Sequence, residues 1–101
     1  VIGNLSSKVE KAALCTGAGG EFMDDAVREG CDVFITSDIR YHEAMDAVDK
    51  KIALIDATHY ATENIIVPVI AQYLRKKLDT RGIKDVEVIE TTVNGQPFVH
   101  I

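Results

Sequence analysis

Three short apolar runs, each ending on polar residues and followed by a segment of helical period, leave few folds open to this chain. The runs are residues 9–16, which end on Leu14-Cys15-Thr16, then Val33-Phe34-Ile35-Thr36, then Ile52-Ala53-Leu54-Ile55 leading into Asp56. Near-continuous apolar runs of this length read as strands covered on both faces. Between and after them apolar residues recur at helical spacing: Phe22, Met23, Ala26 and Val27, then Tyr41, Met45 and Val48, then a doubled row from Ile65 to Leu78. Gly30 supplies a left-handed stop for the first of these helices. Pro68 falls inside the last pattern, so that helix either kinks at Pro68 or begins just before it.

Strands alternating with helices imply an α/β fold: a three-layer α/β/α arrangement with a mostly parallel sheet. A fourth strand is expected at residues 86–90. Asn94-Gly95 is a hairpin turn signal, with Val93 before it and Phe98, Val99, His100 and Ile101 after it, so an antiparallel edge hairpin is expected as well. With 101 residues and no low-complexity linker, the chain reads as one α/β domain over residues 1–101. It opens on Val1 rather than Met, and so reads as a processed product, an engineered length or a piece of something longer.

The charge balance excludes some functions. The net charge is −5, which disfavours general affinity for phosphate backbones and hence nucleic-acid binding. The one basic cluster, Arg75-Lys76-Lys77, lies near a helix end and there complements the helix dipole. No apolar run approaches the roughly 20 residues of a membrane span, and these residues lead to no expectation of a signal peptide. The two cysteines, Cys15 and Cys31, have neither framework nor zinc-knuckle spacing, and read as reduced thiols of a cytoplasmic protein.

In a parallel sheet the carboxyl ends of the strands share one edge, where open α/β sheets bind their ligands. Three polar groups are expected to converge there. The first is the turn Gly17-Ala18-Gly19-Gly20 after Thr16. It has the look of a phosphate-binding turn, but it is neither GxGxxG nor a P-loop, and a plain tight turn is the stronger reading. The second is Thr36-Ser37-Asp38 leading to His42. Asp38 and His42 are four apart at a helix start, as an ion pair, a metal pair or an acid/base pair would be; equally, Asp38 could cap the helix while His42 packs at its edge. The third is Asp56-Ala57-Thr58-His59, with Glu63 one helical turn beyond His59. His59 and Glu63 share a helix face, so an imidazole and a carboxylate are placed to hold a metal or to move a proton. The plainer alternative is a helix start with a packed His and a solvated Glu. Two ligands are fewer than the roughly three of a catalytic zinc site, so Asp56, Asp38, another segment or another subunit would have to supply more.

Thr36-Ser-Asp-Ile-Arg-Tyr-His42 resembles the TGDxxYH stretch of the Nif-three-like family (NGG-one-interacting factor three), and Asp56-Ala-Thr-His-Tyr-Ala-Thr-Glu63 resembles its DxGHxxxE stretch. Val1-Ile-Gly-Asn-Leu5 and Cys15-Thr-Gly-Ala-Gly-Gly20 follow the same segment order. The resemblance runs nearly end to end but covers only the carboxyl-terminal part of a family member. Bacterial members are often labelled GTP cyclohydrolase 1 type 2 homologs. The resemblance implies two intertwined α/β domains around a dinuclear site for divalent metal (zinc, iron, manganese or magnesium), within a ring-like homo-oligomer. It implies a metal-dependent hydrolase acting on a purine nucleotide or a similar phosphate-bearing substrate. On this chain it makes His59 and Glu63 metal ligands, Asp38 and His42 catalytic groups lining the site, and Thr36 a substrate-side residue that orients one of them. The family's adjacent His pair has no counterpart here, so the missing amino-terminal half or other subunits would complete the site. A non-catalytic binding or assembly domain is the rival expectation. Ser37 and Thr58 stand where the family usually has Gly, each adding a side chain at a tight turn.

Overall fold

The computed structural model describes residues 1–99, and the alternation of strand and helix is present in it. The chain divides into two compact units, Val1–Glu63 and Asn64–Ile101, although no linker composition marks the boundary. The first unit holds strands β1 (Ala12–Ala18), β2 (Val33–Ser37) and β3 (Ala53–Asp56). They form a parallel sheet in the order β1-β2-β3. Helices α1 (Met23–Arg28) and α2 (Tyr41–Lys50) make the two crossovers. Because the strand order advances in one direction and such crossovers are right-handed, both helices fall on the same face of the sheet.

The core forms under those helices. Phe34 and Leu54, directly opposed across β2 and β3, are almost wholly buried and meet Met23 and Ala26 of α1, Ala47 of α2, and Ile52. Ile2 makes a two-bond antiparallel bridge with Leu54, which ties the amino-terminal residues to β3. Both cysteines are free thiols, half-buried beside this core.

Local chemistry explains the element ends. Arg40 is the N-cap of α2, and Glu43 at its third position reaches back to the Arg40 backbone N–H at 2.8 Å, the carboxylate half of a capping box, which sequence reasoning passed over. Glu43 is buried, and the Arg40 guanidinium beside it holds its carboxyl below the usual carboxylate range. The helix ends on Lys51, a left-handed residue at φ 58°.

The start of the sheet is fixed by Asp32, whose Oδ2 accepts hydrogen bonds from the Glu10 and Lys11 backbone N–H groups, both at 2.8 Å. Those two bonds lower its pKa from the ordinary value. A carboxylate with a lowered folded pKa stabilises the fold above its unfolded pKa, near 3.9, and loses that contribution as pH falls through the folded value. Asp32→Asn keeps an acceptor oxygen but does not titrate. Its urea midpoint is expected to lie below that of the natural protein at pH 7, with the gap closing as the pH falls below about 4. A gap of constant size over that range would contradict the role given to Asp32.

The second unit is built on α4 (Ile66–Thr80). Of the two readings of Pro68, the helix start is the one realised. Pro68 is the third residue of α4, where the missing N–H removes no intrahelical bond. The segment before it forms a separate helix, α3 (His59–Asn64).

The expected strand at residues 86–90 and the hairpin around Asn94-Gly95 do not form: among the described residues from 83 to 99 there is no strand. A strand needs a neighbouring ladder, and this segment is held by side chains instead. Arg75 donates to the Val88 carbonyl at 2.9 Å and pairs with Glu90 at 2.7 Å. His100 and Ile101, part of the same expectation, lie outside the described residues.

A candidate metal centre at the carboxyl edge of the sheet

The three strand ends do converge, and they do so around His59. β3 ends at Asp56, two residues later the chain passes through Thr58 at φ 64°, and α3 begins with His59. β2 ends at Ser37, and Asp38 follows at φ 56°. Both are left-handed residues, a conformation that costs a non-glycine residue roughly 1–3 kcal/mol. The sequence comparison that set Thr58 against a usual glycine finds its physical meaning here. Ser37 is wholly buried at the neighbouring position, and its hydroxyl has no partner among the described residues.

Between these loops the His59 Nδ1 lies 2.5 Å from Asp38 Oδ2, and the Nε2 lies 3.2 Å from Glu63 Oε1. The hydrogen bond to Asp38, then the negative charges of Glu63 and Asp38, raise the His59 pKa from its ordinary value. The Nδ1 edge of the ring is thus taken by Asp38, and the Nε2 edge is turned toward Glu63. A carboxylate behind a histidine in this way fixes its tautomer and orientation and makes it a better metal ligand.

The donor set fits half of a metal site. Two ligands about 2.0–2.1 Å from one tetrahedral ion stand roughly 3.3 Å apart, close to the 3.2 Å between Nε2 and Oε1. Asp38 and Glu63 occupy opposite edges of the ring, so they cannot meet on one ion. Among the described residues no group of three or more His, Cys, Asp and Glu side chains is arranged to hold a metal. The pair therefore falls short of the roughly three protein ligands of catalytic zinc.

The other expected residues fall elsewhere. His42 does not pair with Asp38; it is exposed on α2 and lines a separate cavity of about 220 Å³ with Arg40, Glu43, Asp46 and Lys50. The spacing of four suggested a pair, but Asp38 precedes the helix and points its carboxylate at α3 instead. Thr36 is sealed in the central strand, so a direct hold on substrate is replaced by a positioning role. Its hydroxyl donates to the Gly17 carbonyl at 3.0 Å and accepts from the Gly19 N–H at 2.9 Å.

Thr62, which sequence reasoning missed, does similar work on the other side. It is buried, accepts from the Gly17 N–H at 3.0 Å, and donates to the His59 carbonyl at 2.9 Å. Its signal was a β-branched hydroxyl three residues after His59, on the inner side of a short helix. The N–H groups of Gly17 and Gly19 are thus occupied by threonines, which favours the plain turn over a phosphate cradle. Gly17 has a further role as space. It sits at φ 66°, and a Cβ there would come 2.7 Å from Glu63 Oε1 and 3.3 Å from His59 Nε2.

Comparison with known proteins agrees on one family. Residues 1–97 match the model of Duf34/NIF3 (NGG1p interacting factor 3). A Staphylococcus aureus protein named GTP cyclohydrolase 1 type 2 homolog is 33% identical over 99% of this chain, and a Streptococcus pneumoniae protein of the same name is 34% identical over 97%. The chain spans only 27% and 36% of their respective lengths. Among solved structures, a Bacillus cereus protein related to NIF3 superposes with a TM-score of 0.92 at 28% identity, over 99% of this chain and 27% of that one. Staphylococcus aureus protein SA1388 gives 0.90 at 32% identity, over 99% of this chain and 32% of that one. The chain belongs to the Duf34/NIF3 (NGG1p interacting factor 3) family.

Proposed function

We propose that this chain contributes part of a dinuclear divalent-metal centre, with His59 and Glu63 as ligands and Asp38 as the partner that orients His59, in a metal-dependent hydrolase. The observation that carries the reading is the His59 Nε2–Glu63 Oε1 separation of 3.2 Å, with the opposite ring nitrogen held by Asp38. Imidazole and carboxylate donors suit zinc, iron or manganese, and carboxylates with retained waters suit magnesium. When bound, a metal pair supplies an activated water and a clamp for phosphate oxygens. The substrate class that follows is a phosphate-bearing one such as a purine nucleotide, consistent with the name carried by the relatives. The remaining ligands come from outside these residues, either the rest of a longer chain or a second copy in a homo-oligomer. Free thiols at Cys15 and Cys31 suit a reducing cytoplasm. No helix is long and apolar enough to cross a membrane among the described residues.

A second reading, an assembly domain without chemistry of its own, draws on α4, which exposes Ile66, Val69, Ile70, Tyr73 and Leu74 along one row. One titration separates the two. Full-length protein stripped with a chelator and titrated with zinc is expected to saturate at about two ions per chain. It should then hydrolyse a member of a nucleotide and phosphate-ester panel. Failure to take up stoichiometric metal leaves only the assembly reading.

A further inference from the structure

We infer that Asp56 is a positioning residue, which clamps the two left-handed loops that set Asp38 and His59 face to face. This deepens the metal reading of the same site and rests on it. The carboxylate stands at the end of β3, between the β2–α2 and β3–α3 connections. Its Oδ2 accepts the Ile39 N–H at 3.1 Å, and its Oδ1 accepts the Thr58 N–H at 3.0 Å. Each donor adjoins one partner of the pair: Ile39 follows Asp38, and Thr58 precedes His59. Each loop also carries a strained residue, Asp38 at φ 56° and Thr58 at φ 64°. Strain of this kind persists only where surrounding bonds over-determine it.

Other ties confirm how few such bonds there are. The Ala57 N–H reaches the Thr36 carbonyl at 2.8 Å, and the Thr62 N–H reaches the Thr58 carbonyl at 3.1 Å, but neither crosses from one loop to the other. The Asp56 side chain is the one group hydrogen-bonded to both loop backbones among the described residues. A carboxylate suits this place because each of its oxygens only accepts, and a charged acceptor strengthens both bonds. Asn would present an N–H to one of the two donors and lose that half of the clamp. Asp56 thus acts on the centre through Asp38 and His59 rather than as a ligand.

The test uses full-length protein, zinc alone as probe, and backbone amide exchange. Asp56→Ala is expected to speed exchange of the Ile39 and Thr58 amides at least about tenfold, leaving the Phe34 amide of the core strand unchanged. Zinc affinity is expected to fall about 10–100-fold, the range for losing a group that orients a ligand. Asp56→Asn should lie between the two. Adding Thr58→Gly to Asp56→Ala is expected to recover part of the affinity, because glycine keeps a positive φ without help. A fall in zinc stoichiometry with no recovery by Thr58→Gly would make Asp56 a ligand and overturn the clamp. Unchanged exchange at both amides overturns it as well. The exchange arm needs no metal. A natural protein that binds no zinc therefore ends the metal reading, and exchange still decides the role of Asp56.

Discussion

His59→Ala is expected to weaken zinc binding by the full-length protein more than about 100-fold, while the fold survives. Loss of a hydrogen-bonding partner behind a metal ligand costs roughly 10–100-fold. Loss of the ligand itself must exceed that, and 100-fold is about 2.8 kcal/mol. The fold should tolerate the change because the His59 side chain is about half exposed, at 46%. What anchors α3 is its neighbour: Thr62 bonds Gly17 on one side and the His59 carbonyl on the other. Removing an exposed side chain away from such anchors usually shifts stability by less than about 0.5 kcal/mol. Asp38→Asn gives the graded comparison. It keeps the size of the partner but removes the charge behind Nδ1, so its loss should stay within the roughly 10–100-fold range. Metal content by mass spectrometry and competition with a chelating dye read both variants. Undiminished metal in His59→Ala would remove this residue from the centre. Equal losses in the two variants would mean that His59 acts only through its charge pair with Asp38.

β2 was open to sequence reasoning because it is buried along almost its whole length, which leaves the run little freedom, and β3 was legible from the apolar residues before Asp56 although only Leu54 of that strand is buried. β1 was read three residues early, at residue 9. Val9 is apolar yet half exposed, and the ladder with β2 begins only at Ala12 opposite Val33. The segment at residues 86–90 shows the limit of such patterns. Alternation says that a segment can pair, and says nothing of whether a ladder stands beside it.

The site divides along the same line. His59 and Glu63 were legible because they lie within one helix, where a spacing of four is a geometric rule. Asp38 was legible as a polar strand-end residue, but the spacing of four offered His42 as its partner or a helix cap as its role, and neither is realised. Its true partner is 21 residues away, and only the topology of the sheet brings them together. Thr36 was named, but as a substrate-side residue, and Thr62 was missed, because a threonine hydroxyl turned inward onto a glycine backbone leaves no periodic trace.

Gly17→Ala is the second variant expected to have a large effect, and the one that tests how the centre is given its room. Two penalties meet at this position. A left-handed backbone costs an alanine roughly 1–2 kcal/mol, and Gly17 sits at φ 66°. The added methyl would also stand 2.7 Å from Glu63 Oε1, a distance that it cannot keep, and a tight 3.3 Å from His59 Nε2. The nearer contact is the end of a flexible side chain, so Glu63 swings away more easily than the strand yields. The relief is taken from the metal site, and zinc affinity in the full-length protein is expected to fall about 10–100-fold, as for loss of a group that orients a ligand. Gly30→Ala separates the two penalties. Gly30 has nearly the same backbone, at φ 69°, but a Cβ there meets nothing within 4 Å. It should lose a similar amount of stability in urea and none of the zinc affinity. If both alanines weaken zinc equally, the effect at Gly17 is general loosening of the fold. If only Gly17→Ala does so, the glycine near the carboxyl end of β1 is there because the His59–Glu63 pair lies against its bare Cα.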